Sequence, residues 1–153
     1  MKRTGVLISA TAALLFGFAG LAQAADKVSA NDFAEEASAK GIAEIETSKL
    51  ALEKGSHAEV KKFAQTMIDD HTRANDELKA LAKQKNLEVS TDAELMSKAK
   101  AMILQVRDGE NFDKAYANNQ VVAHEQAIEL YQKAAAGDDA EVSAWAKKTL
   151  PKL

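Results

Sequence analysis

The chain has 153 residues, a formal net charge of −3, no cysteine and a single proline, Pro151. That length suits one domain, and the mildly acidic balance argues against nucleic acid or an anionic lipid surface as the main partner. Without cysteine there is no disulfide and no site for a lipoprotein's lipid anchor, so the core alone must hold the fold.

The chain opens MKRTGVLISATAALLFGFAGLAQA. Lys2 and Arg3 are followed by an uncharged apolar run, Val6 to Leu21, and by Ala22-Gln23-Ala24, which fits a small-x-small cleavage site. This pattern predicts a secretory signal peptide over residues 1–24 and a mature domain over 25–153. A membrane anchor fits less well, because the run is short and is broken by Gly17 and Gly20. Of the 20 basic residues two lie in the leader, so the mature chain keeps 18 against 23 acidic residues, a net charge of −5. The expected compartment is a bacterial periplasm, with outer-membrane association left open and no stable membrane insertion after cleavage.

Beyond the leader, good helix formers dominate and no stretch alternates as a strand would. Helices are predicted at about 30–54, 57–86, 91–107, 111–136 and 139–150. In the first, Ala34, Ala37, Gly41, Glu44, Ser48 and Ala51 form a stripe of small residues interrupted by Glu44, which would let a neighbouring helix come close. Glu36 and Lys40 stand one turn apart on a solvated face, as do Glu94–Lys98 and Glu110–Lys114. Gly55, Gly109 and Gly137 are placed to end helices. Ser56-x-x-Glu59, Thr91-x-x-Glu94 and Asp138-x-x-Glu141 resemble capping boxes or a variant of them.

The second helix has the clearest seam: Val60, Ala64, Met67, His71, Ala74, Leu78 and Leu81 step by four and three. Leu95, Ala99, Met102 and Val106 make the same pattern in the third. GSHAEVKKFAQTMI, Gly55 to Ile68, aligns without gaps to GDDAEVSAWAKKTL, Gly137 to Leu150. Each copy reads as a helix end, a turn and a new helix. Two hairpins joined by the third helix would pack as a four-helix bundle with a crossover connection. The second copy meets Pro151, so the fourth bundle helix is expected at about half length. Either a partner in a homodimer would then cover the apolar ends of its neighbours, or the sequence is truncated there.

Glu44, His71 and His124 stand near the midpoints of the first, second and fourth helices, so a bundle brings them to one depth. Asp70 and Glu125 adjoin the histidines as alternative ligands or as partners that orient the rings. Imidazole and carboxylate suit iron, zinc, manganese or copper, and bundle cores are where such sites are built. Two other readings stay open: a buried hydrogen-bonded layer that fixes helix register, and a His124 that reaches water at the edge of its stripe. The Glu-x-x-His pairs of di-iron bundles are missing, since Ile68 and Val121 precede the histidines by three. His57 is expected at the surface, and Phe63 and Trp145, equivalent in the repeat, in the core. Met67, Met96 and Met102 read as packing. No phosphate-binding glycine loop, nucleophile pair or basic stripe is present.

The motifs AEIETSKLALEKG, EVKKFAQTMIDDHTRANDELK, FDKAYANNQVVAHEQAIELYQKAA and AEVSAWAKKTLPKL resemble the domain-of-unknown-function 4142 family from about Phe33 to Leu153. These are exported bacterial proteins often labelled predicted outer membrane proteins, a label that fits poorly with a chain lacking barrel strands. The resemblance implies a ferritin-like helical bundle and no established activity. By it, Glu44, Asp70, His71 and His124 fall on recurring polar positions. Family members typically continue past the Leu-Pro-x-Leu motif into a longer helix with another histidine, which this sequence lacks. Taken together, the expected function is that of a non-catalytic binding or envelope-stress protein. A metal-binding protein using Glu44, His71 and His124, or a structural oligomer, are the alternatives.

Overall fold

A computed structural model describes residues 27–93 and 95–153, except for the side chains of residues 95–97, 99 and 103. The predicted signal peptide, Glu94 with its capping box and ion pair, and the side chains of Leu95, Met96 and Ala99 therefore lie outside the described residues. The elements are α1 (Ala30–Lys54), α2 (Ala58–Lys85), α3 (Leu95–Gln105), α4 (Gly109–Ala135) and α5 (Ala140–Thr149), then a 3-10 turn over Leu150–Lys152. Among the described residues all regular structure is helical, and no helix is long and apolar enough to cross a membrane.

Capping sets the ends of α1. The Ser29 hydroxyl accepts from the Asp32 N–H at 3.1 Å, and the Gly55 N–H closes the last turn on the Ala51 carbonyl. A Cβ at Gly55 would stand 2.6 Å from that carbonyl, so the chain can turn there only as glycine. The small-residue stripe of α1 is buried along its whole length, Glu44 included. At Gly41 the close approach is literal: a Cβ would lie 2.2 Å from Asn75 Oδ1 of α2. On the outer face Lys40 pairs with Glu36 at 3.3 Å, as the spacing predicts.

The start of α2 differs from the predicted capping box. His57, largely exposed as expected, occupies the cap position without a side-chain bond. The N–H groups of Ser56 and His57 go instead to the carboxylate of Asp113, which α4 presents from across the bundle. A carboxylate at a helix N-terminus satisfies free N–H groups and meets the positive end of the helix dipole. At its other end α2 stops on Asn86 in the left-handed conformation, φ 54°. The last capping box also shifts by one residue. Asp139, not Asp138, accepts from the Glu141 and Val142 N–H groups, while Asp138 pairs with Lys27. Gly109 does not end a helix but opens α4, at φ +57°.

α1 packs on α2 and α4, α5 packs on α4, and α3 lies against α1 and α4. Contacts fix the directions. Asp113 meets Ser56, Gln120 meets Glu44, and Tyr131 meets Phe33, so α4 runs antiparallel to α1. Glu141 meets Lys85 and Trp145 meets Glu77, so α5 runs antiparallel to α2. This is the predicted bundle, two hairpins joined by a crossover helix, with a short fourth member. One apolar cluster gathers Phe33, Leu78, Leu130, Tyr131, Val142 and Trp145; the other gathers Ala51, Ala64, Leu104, Phe112 and Tyr116. Between them lies a polar layer that contains Glu44, Thr47, Ser48 and Gln120, all buried.

Two packing expectations fail. Met102 and Val106 of the proposed α3 seam are 67% and 82% exposed, and among the described side chains of α3 it is Leu104 that is buried. A short crossover helix touches the bundle along one narrow line, and a four-residue apolar pattern in a mostly apolar stretch cannot single out that line. Phe63 is 42% exposed although Trp145, its counterpart in the repeat, is buried. α5 and the turn that follows it border the cavity lined by Met67 and His71, beyond Phe63 along α2. The first turns of α2, Phe63 among them, have no α5 beside them.

Candidate functional site

The three residues predicted to converge do so. A cavity of about 40 Å³ at mid-bundle is lined by Glu44, His71 and His124. Asn75, Asn119, Lys40 and Lys100 are among the other polar residues in its wall. That is room for a few water-sized groups. His71 and His124 meet edge to face, ring centroids 5.8 Å apart and planes at 72°. A second cavity, of about 60 Å³, opens on the other side of this pair between α2 and α5. Met67, Asp70, Arg73, Glu77, Lys148 and Lys152 line it, and it shares His71, Ala74, His124, Tyr131 and Leu153 with the first. The histidine pair thus stands at the partition between an inner cavity and an outer one.

The outer opening follows from how α5 is held. It reaches α2 through long side chains rather than by close backbone approach. Lys85 bridges to Asp139 and Glu141 at 2.9 and 2.8 Å, and Trp145 Nε1 and Lys148 Nζ both donate to Glu77.

His124 Nδ1 lies 2.9 Å from the Gln120 carbonyl oxygen. A carbonyl only accepts, so Nδ1 carries the proton, and in the neutral ring Nε2 keeps the lone pair. Burial, and then the facing His124, depress His71 from 6.5 to about 4; the Asp70 charge offsets this only in part. His71 is therefore uncharged at neutral pH. Glu44 is raised above its ordinary 4.5, because burial outweighs the Gln120 amide bond and the charges of His124 and Lys100. The Gln120 Nε2 donates to Glu44, while Gln120 Oε1 is buried with no hydrogen-bond partner among the described residues.

The expected orienting partners do not take that role. Glu125 is exposed: consecutive helical residues point about 100° apart, so it leaves the face that carries His124. Asp70 lies at the outer cavity and is tied to Arg73 at 3.2 Å. The groups that do touch the layer stand one turn away, Gln120 before His124 and Asn75 after His71. Same-face spacing of four would have found both. Among the described residues, no three of His, Cys, Asp and Glu come together closely enough to hold a metal ion. What the arrangement offers is two imidazoles at a shared cavity wall, that of His71 uncharged at neutral pH, with Glu44 engaged by Gln120 alongside.

No curated protein and no solved structure matches the chain. Residues 18–153 match the family described as Domain of unknown function (DUF4142), so the chain belongs to that family.

Proposed function

We propose that this is an exported, non-catalytic binding protein of the periplasm, and that its ligand is a transition-metal ion gripped by His71 and His124. The observation that carries the reading is the ring pair itself. Two imidazoles on one ion, with metal–nitrogen bonds of about 2.0–2.1 Å, place their centroids roughly 5–6 Å apart. The observed 5.8 Å lies in that range. The Gln120 carbonyl supports it by holding the His124 proton on Nδ1, the arrangement that presents Nε2 to a metal. Export rests on the leader pattern at residues 1–24.

The test is elemental analysis of the protein purified without chelator or affinity tag, beside the His71→Ala/His124→Ala double variant. Near-stoichiometric metal that disappears in the double variant is expected. Equal metal in both forms would sink the proposal. A metal-free wild type whose double variant is only less stable would make the layer a device for helix register.

A further inference from the structure

Resting on that reading, we infer that the ion is copper(I) and that the thioether of Met67 is its third donor. Met67 precedes His71 by one helical turn, so the two side chains share a face of α2. Met67 is half-buried and lines the outer cavity together with His71 and His124. Three residues that carry one soft sulfur and two imidazoles thus line one cavity, two from α2 and one from α4.

The competing ions are disfavoured by what the site lacks. Zinc in protein sites takes four ligands, or three and a water, and manganese favours carboxylates and water. Here the nearby carboxylates are otherwise engaged: Glu44 by Gln120, Asp70 by Arg73, Glu77 by Trp145 and Lys148. Thioether donors select copper(I), the soft monovalent ion.

Charge points the same way. The outer cavity holds Arg73, Lys148 and Lys152 against Asp70 and Glu77, and the inner one holds Lys40 and Lys100 against Glu44. Neither wall has an excess of negative charge to offset a dication, and repulsion by the surrounding cations doubles with ionic charge. A monovalent ion is the one these walls oppose least.

The experiment titrates the untagged protein anaerobically with copper(I) held by a chromogenic competing chelator, and in parallel with zinc(II). Met67→Leu conserves volume and leaves the fold testable by circular dichroism. The wild type is expected to prefer copper(I). Met67→Leu is expected to weaken copper(I) binding by at least about tenfold, the lower end of what even an outer-shell partner is worth, while zinc(II) binding stays unchanged. Copper(I) affinity unchanged in folded Met67→Leu but abolished in His71→Ala would overturn the thioether and leave the two-histidine reading standing. Zinc(II) bound as tightly as copper(I) by the wild type would overturn the choice of ion. Binding of neither ion would end both.

Discussion

Ser56 gives its backbone N–H and its hydroxyl to the carboxylate of Asp113, at 3.1 and 2.6 Å, across 57 residues of sequence. One buried acid of α4 thereby starts α2. Burial alone would raise the Asp113 pKa, but the Ser56 hydroxyl and the N–H groups of His57 and Ser56 hold it below its usual value. Asp113→Ala should cost about 2–4 kcal/mol, because it strands the N–H groups of Ser56 and His57 at the helix start. Asp113→Asn keeps an acceptor and should cost about half as much. Urea denaturation of the two variants checks this, and equal losses would show that the carboxylate's second oxygen and charge do not matter.

Acid should weaken the bundle in a way that depends on the mid-layer. The unfolded chain protonates His71 near 6.5, the folded one only near 4. This part of the stability is therefore complete above the higher value and is lost as the pH falls toward the lower one. Glu44 opposes it: its raised pKa means the folded state takes up that proton first, so stability is gained as the pH falls toward 4.5. His71 is half-buried, which limits its share to about 1–2 kcal/mol. Glu44→Gln should steepen the decline between neutral pH and about 4.5, and His71→Phe should flatten it. Denaturation midpoints measured across that range decide; parallel curves for all three proteins would refute the assignment.

Phe63 and Trp145 hold the same place in the internal repeat but should differ in energetic weight. Trp145 packs on Phe33 and Tyr131, with centroids 6.0 and 5.6 Å away, and its truncation to alanine should cost about 3–5 kcal/mol. Phe63 meets Tyr116 edge to face, centroids 6.3 Å apart, but stays 42% exposed, so Phe63→Ala should cost about 1 kcal/mol. Thermal unfolding of both variants, repeated over a range of protein concentration, is the check. A Phe63→Ala loss that grows with concentration would mean that a second copy of the chain covers this face, and light scattering would then show a dimer.

Some of this was legible in the sequence. The span of α1 could be read from the apolar spacing that begins after Ser29 and from Gly55, because both ends are set by adjacent residues. The convergence of Glu44, His71 and His124 followed from helix midpoints, since helices of similar length in a bundle share their depths. The cap of α2 could not be read, because its acceptor lies on another helix and no local pattern marks Asp113. The α3 seam failed for a different reason: apolar residues in a short helix do not reveal which of them meets a neighbour. Met67 illustrates a third kind of gap. Its spacing reads as packing, and the ligand role proposed above rests on the cavity that it lines with His71 and His124.

The side-chain bridges that hold α5 to α2 also bear on motion. Segments with fewer close contacts open at lower free energy than the whole molecule unfolds. A ten-residue helix that packs on α4, sets Trp145 against Phe33 of α1 and is tied to α2 by the bridges of Lys85, Trp145 and Lys148 is such a segment on its α2 side. Its amides should exchange with deuterium well before those facing the core of α1, and Lys85→Ala should quicken them without touching α1. The outer wall of the histidine pair would then be its hinged side. A ligand could come and go while the α1–α2 hairpin stays folded, and the exchange rate of α5 would set a ceiling on how fast it leaves by that route.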